Sequence, residues 1–304
     1  MREIDYDELL EYVYESDNLQ EVKELLDQIL EVEPDEPQAL LLLADLTEDD
    51  EERLDILERA MNSARSYLDE EGVQESDFME DELGLIYLAL MQRMAFTLFA
   101  LEEDERAFKL AEKLICYDLD DHGSGRSLYY RILLERKDWA RVLEETMQDP
   151  DRKLAWAYSR LAAAFMTSRD GGELDEATLS KFLWEAVSLA PNAPFYMLGY
   201  FPEPEFEPEP FSDALNDVEE WEEEVFHFSI LYEGVWSLSR ELLNWFSQKV
   251  ILFGLLTERF GEESSDMREI LDSLGGTTEY EEVLGSLGEA LDDEAVLRVL
   301  LSRA

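Results

Sequence analysis

The stretch Leu110–Trp139, LAEKLICYDLDDHGSGRSLYYRILLERKDW, most constrains the fold. Leu110, Ala111, Leu114 and Ile115 recur at helical spacing and share one face. Asp118, Asp120, Asp121, Gly123 and Gly125 then interrupt the pattern, because Asp and Gly tolerate the backbone angles that end helices. Leu128, Tyr129, Ile132 and Leu133 rebuild an apolar face beyond the break. The rest of the chain repeats this helix–break–helix unit, and no strand-like alternation of any length is present. The periodicity predicts an all-α fold; it points to no chemistry.

The units read as pairs. Asp5–Tyr14 and Asn18–Val32 open the chain, with Leu19, Val22, Leu25, Leu26, Ile29 and Leu30 forming a wide stripe on the second helix. Pro34 and Pro37 stop it, since proline lacks the amide hydrogen and clashes with the preceding turn. Gln38–Thr47 pairs with Glu51–Leu68, Glu80–Leu101 with Glu105–Tyr117, Ser124–Glu135 with Asp138–Gln148, and Arg152–Thr167 with Asp175–Leu189. Ala107, Ala140 and Ala177 recur at a spacing near that of the tetratricopeptide repeat, about 34 residues, with Pro34 and Pro191 where that repeat carries its proline. This register expects Ala111, Ala140 and Ala186 to be buried at close helix crossings. Leu119 occupies one proline slot, so the repeats are degenerate.

Several motifs, in order, resemble a known family. YDLDDHGSGRSLYY keeps Asp121 and Arg126 of the family's LNPNDNQGxRYLL. WAYSRLAAAF from Trp156 is close to WAYxRALLAF, and APNAPFYMLG, Ala190–Gly199, to NPHVPAYLLG. GVWSLSRELLNWF, Gly234–Phe246, is similar to the family's tryptophan-rich close. Across roughly Met1–Phe246 the chain thus resembles bacterial tetratricopeptide-like proteins related to the suppressor-of-tumorigenicity family. It departs at Leu119, where proline is usual, and at Ser124, where glycine is usual. The resemblance implies a helical-repeat scaffold with no established catalytic residues.

Phe201–Phe211, FPEPEFEPEPF, favours an extended polyproline-II path, read as a stiff linker or a loop lying on the helices. A long helix follows from Ser212; its aromatics Phe226, Phe228, Tyr232 and Trp236 read as core. Lys249–Phe260, Asp266–Leu274, Glu279–Leu291 and Glu294–Ser302 form a helical tail suited to capping a solenoid. Thr278 and Glu281 have the spacing of a capping box. The expected domains are 1–200 as repeats, 201–211 as the Pro/Glu segment, and 212–304 as the C-terminal region.

Composition bounds the partners. The 304 residues are 46% hydrophobic, enough for a continuous core. Seventy-five Asp and Glu against 25 Lys and Arg give a net charge of −50, which repels nucleic acid and anionic lipid and attracts basic proteins. The N-terminus lacks the pattern of a signal peptide, and the longest apolar runs, such as Ala39–Ala44 and Val250–Leu256, read as far short of the ~20 residues of a membrane helix. A cytoplasmic location is expected.

The candidate chemistries fail on their own terms. Asp118, Asp120 and Gly123 start a calcium loop, but His122 takes its fifth position and Tyr129 its twelfth, where a bidentate Glu is required. Glu224 and His227 have the Glu-x-x-His spacing of a di-iron bundle, which needs that motif twice; His227 reads instead as an ordinary, partly buried histidine. Cys116, the one cysteine, excludes an intramolecular disulfide and reads as a small buried hydrophobe. Gly123-Ser124-Gly125 lacks the Lys-Ser/Thr of a phosphate loop. No catalytic residue, metal site or cofactor is expected, and the partner surface is not identified by sequence. The expected molecule is a right-handed α-solenoid of degenerate tetratricopeptide-like pairs with a C-terminal helical cap. Its expected role is a non-enzymatic scaffold binding a peptide or helix of another protein in a concave groove; the alternative is an acidic decoy or chaperone that sequesters basic proteins or mimics nucleic acid.

Overall fold

Residues 9–10, 12–13, 18–117, 124–148, 153–169, 171, 174–204, 217–287 and 292–304 are described by a computed structural model, the side chains of 217–220 excepted. Fifteen α-helices and two short 3-10 turns, with helical residues 9–10 and 12–13, account for the regular structure among these residues, and none of them is in a strand. The all-α expectation is met. The loop Asp118–Gly123, most of the helix expected over Asp5–Tyr14, and the Pro/Glu segment beyond Pro204 lie outside the described residues. Two compact units divide at Tyr129/Tyr130.

In the first unit, Met1–Tyr129, the helices are α1 (Leu19–Val32), α2 (Pro37–Asp45), α3 (Asp50–Glu71), α4 (Glu82–Ala100) and α5 (Asp104–Tyr117), with the start of α6 (Gly125–Glu135). Each of α1 to α4 packs on the next helix, and α2 also touches α4. The N-caps are local chemistry: Asn18, Glu36, Asp49 and Asp81 each accept a backbone amide hydrogen in the first turn that follows. Leu10 and Val13 pack with Val22, Leu26, Ile29 and Ala39 in one buried cluster. Phe78, fully buried, sits between the rings of Tyr87 at 5.4 Å and Tyr117 at 5.5 Å. Gly84 permits that seat, because a Cβ there would stand 2.5 Å from the Phe78 carbonyl oxygen. By length and composition α4 could cross a membrane, a property that a search for uninterrupted apolar runs misses; 39% of its apolar window is buried, against α3 and α5.

In the second unit, Tyr130–Ala304, α8 (Leu154–Arg169) touches the preceding α7 (Trp139–Gln148), α9 (Glu176–Leu189), α11 (Asp217–Trp236) and α12 (Arg240–Leu256). Such a helix must be apolar all round. Leu154–Ser159 and Leu161–Phe165 are buried accordingly, and the alanines among them let neighbours approach closely. The short α10 (Ala193–Met197) is entirely buried. Its Phe195 meets Phe201, Phe253 and Phe260 at ring distances of 4.7, 6.2 and 5.7 Å. Trp236 stacks on Phe246 at 3.7 Å and donates its indole hydrogen to Met197 Sδ at 3.2 Å. Burying side chains of this size contributes about 1.5–3 kcal/mol each. The core role read for Phe228, Tyr232 and Trp236 holds, whereas Phe226 is only half-buried, meeting the Tyr196 ring at 5.4 Å. Helices α13 (Ser264–Ser273), α14 (Thr277–Ser286) and α15 (Asp293–Arg303) follow, and α15 packs back on α9.

Several local expectations are corrected. Ala111 and Ala186 are fully buried, but Ala140 and Ala177 are exposed. On α7 the buried stripe is Trp139, Val142 and Thr146, so Ala140 is turned away by one residue, about 100°. The alanine spacing is therefore no recurring helix crossing. The helix expected from Lys249 begins at Arg240, where the Ser239 hydroxyl accepts from the Leu242 amide at 3.0 Å and starts a new helix after Trp236. The Thr278–Glu281 capping box does not form. Gly275, at φ 78°, and Gly276 let α14 begin earlier, and the Thr277 hydroxyl donates to Asp272 Oδ1 at 2.8 Å.

Candidate functional site

In the first unit, Glu33–Glu36 connects α1 to α2 and lies along the middle of α3. Arg59, Ser63 and Tyr67, at i, i+4 and i+8, form one face of α3 that holds this connection. Arg59 Nε donates to Asp35 Oδ1 at 2.6 Å, and its guanidinium also donates to the Pro34 carbonyl. The Ser63 hydroxyl donates to the Asp35 carbonyl, and the Tyr67 hydroxyl to Glu33 Oε1 at 3.4 Å. Burial, and then the Glu33 charge, raise the Tyr67 pKa.

A groove of about 620 Å³ opens beside this face. Asp55, Glu58, Asn62 and Ser66 line it from α3, and Glu33 and Asp35 from the connection. Helix α3 carries eight acidic residues and three arginines, and each arginine is engaged. Arg53 pairs with Asp50 and donates to the Thr47 carbonyl, Arg59 holds Asp35, and Arg65 pairs with Asp69 and Glu75. Glu58 is matched by Arg106 of α5 at 2.5 Å, whereas Asp55 is exposed at the groove. The rim thus keeps an excess of negative charge over polar hydroxyl and amide groups.

The second unit holds a pocket of about 470 Å³ between α9, α12, α14 and α15. Lys249 of α12, 5% exposed, lines it and donates to Glu279 Oε1 and Oε2 at 2.9 and 2.8 Å. Glu176 stands 3.6 Å from the same ammonium and accepts the Trp245 indole hydrogen at 2.7 Å. Arg303 pairs with Glu282 at the pocket's edge.

The residues tested for chemistry in the sequence are not brought together. Cys116 is exposed rather than buried: with Ala111 and Leu114 facing the core, it lies on roughly the opposite side of α5. His227 and Glu224 are exposed as well, because Val225, Phe228, Ser229 and Tyr232 take the buried stripe of α11. Tyr129 is buried against Phe108, rings stacked at 5.0 Å. Asp118, Asp120, His122 and Gly123 lie outside the described residues. Among the described residues no three His, Cys, Asp or Glu side chains group as metal ligands. Sequence reasoning named neither the α3 groove nor the Lys249 pocket; Lys249 read as the start of a helix, and only the helix from Arg240 to Leu256 places it mid-helix among apolar neighbours.

No family model, no curated protein and no solved structure matches the chain.

Proposed function

We propose that this protein is a non-enzymatic interaction scaffold that holds a basic segment of another protein. The observation that supports it is the α3 groove, whose arginines are engaged by the fold while carboxylates remain at its rim. A lysine- or arginine-bearing helix or peptide suits such a groove, with hydroxyl and amide groups to pair with its polar atoms. The net charge of −50 favours encounter with that kind of partner and disfavours nucleic acid and anionic membranes. We further read the helix pairs as a degenerate, right-handed tetratricopeptide-like solenoid with a C-terminal cap, related to the suppressor-of-tumorigenicity family, working in the cytoplasm.

The test uses a defined amphipathic peptide of alternating lysine and leucine turns, labelled for fluorescence anisotropy. Asp35→Lys with Asp55→Lys should abolish binding, and the same reversal at exposed Glu262 and Glu269 should leave it intact. Equal loss from both pairs would sink the groove as the site. The second reading, an acidic decoy, rests on the same net charge and makes a different demand on salt. Binding driven by charge alone falls steeply as ions screen it, whereas a peptide seated by apolar contacts loses little by about 0.5 M salt. Survival at that concentration excludes the decoy.

A further inference from the structure

We propose that the Lys249 pocket of the second unit binds a small zwitterion of the α-amino-acid type with an apolar side chain. The pocket lies within the range of about 300–1,000 Å³ typical of small-molecule sites, at about 470 Å³. An ammonium carries three donors. Lys249 gives two of them to one carboxylate, Glu279, and among the described residues the third has no acceptor within hydrogen-bond distance, Glu176 standing at 3.6 Å. A buried cation lining a cavity with a donor to spare is a seat for an incoming carboxylate. Arg303, at the edge, is already engaged by Glu282 and Ser286 and offers the ligand no free charge.

The negative groups decide what else the ligand must carry. Glu176, with its side chain 62% exposed, lines the same cavity and is held by one weak ion pair and the Trp245 indole. A ligand bearing only negative charge would meet Glu176, Glu279 and a chain of net charge −50. A ligand bearing only positive charge would leave the third Lys249 donor without an acceptor. A zwitterion answers both: its carboxylate goes to Lys249 and its ammonium to Glu176. Trp184, Val283 and Leu300, all buried, supply an apolar wall for the side chain.

The bland account is that Lys249–Glu279 only fastens α14 to α12. Glu176→Gln separates the two, because it keeps the acceptor for Trp245 and leaves the Lys249–Glu279 pair untouched. The full-length chain is titrated with L-leucine, L-methionine and L-phenylalanine by calorimetry. L-leucine methyl ester, which lacks the carboxylate, and N-acetyl-L-leucine, which lacks the ammonium, are the controls. At least one free amino acid should bind saturably, and the matching ester and N-acetyl forms at least about tenfold more weakly. Glu176→Gln should weaken the free amino acid by a similar factor, leave N-acetyl binding unchanged, and melt like the parent. The proposal is overturned if no amino acid of the three binds by about 10 mM, if either blocked form binds equally well, or if Glu176→Gln binds as the parent does.

Discussion

Two glycine-to-alanine substitutions in the second unit should shift stability in opposite directions. At Gly254 of α12 a Cβ would stand 2.4 and 2.7 Å from the Phe260 ring and 2.8 Å from Phe195 Cε1. Carbon atoms rest about 3.5–4.0 Å apart, so both rings would have to retreat by about 1 Å. Neither has room: Phe195 is fully buried against Phe201, and Phe260 is 7% exposed. Overpacking of this kind costs about 1–3 kcal/mol, and three close contacts put it at the upper end. Alanine's better helix propensity returns about 1 kcal/mol, leaving a net loss of about 2. At Gly285 of α14 nothing lies within 4 Å of the new Cβ, so only the propensity gain of about 1 kcal/mol remains. For a unit of this size each kcal/mol moves Tm by about 2–4 °C. Gly254→Ala should therefore melt about 4–8 °C lower, and Gly285→Ala about 2–4 °C higher. All six tryptophans lie between Trp139 and Trp245, so tryptophan fluorescence, excited selectively over tyrosine, follows this unit alone on heating. If Gly254→Ala melts at or above the parent, the close approach of α12 to Phe195 and Phe260 is wrong; if Gly285→Ala melts lower, the open space around Gly285 is wrong.

Ala111→Arg should cost several kcal/mol, about 3–5, by burying an unpaired charge in a closed crossing, whereas Ala140→Arg, on an exposed face, should leave the urea midpoint of unfolding unchanged. Cys116 should react with a chromogenic disulfide reagent in native buffer as fast as a free thiol, and a reaction that waits for denaturant would return it to the core. Sodium chloride raised from about 0.05 to about 0.5 M at neutral pH should increase Tm, read by calorimetry; a fall would mean that attraction, not repulsion, dominates the surface.

Helix existence was legible because it rests on local periodicity. Of the stripe Leu19, Val22, Leu25, Leu26, Ile29 and Leu30, the central Val22, Leu26 and Ile29 are buried, Leu25 and Leu30 are half-buried at its edges, and Leu19, in the first turn, is exposed. The helical repeat register was not, because a lone alanine near the right interval says nothing about the direction of its Cβ: at Ala140 the neighbouring Trp139 takes the core. The helix that does need small residues, α8, carries five alanines, Ala155, Ala157, Ala162, Ala163 and Ala164. They fall on every side of it, so they give no stripe. At five residues, α10 is shorter than any window that shows a period. The groove and the pocket were illegible for another reason. Glu279 lies 30 residues from Lys249 and Asp35 lies 24 from Arg59, and among 75 carboxylates no sequence pattern singles out those two.

The placement of the scarce cations explains how a chain of net charge −50 holds these shapes. Several basic side chains span from one element to another. Arg93 joins α4 to Asp45 of α2, Arg106 joins α5 to Glu58 of α3, and Arg131 joins α6 to the Leu231 carbonyl of α11. Arg259, beyond the end of α12, makes a two-pronged pair with Asp293 of α15 at 2.5 and 2.6 Å. Attraction is thus concentrated in a few short contacts, and the most buried of them, at Lys249 and Arg131, exclude the ions that would screen them. Repulsion is spread over exposed carboxylates such as those on α3, which water and mobile ions reach. Salt removes the second more readily than the first. That difference in geometry, rather than the count of charges, is the ground for expecting added salt to raise Tm, and it is the same screening that should weaken any basic partner held by charge.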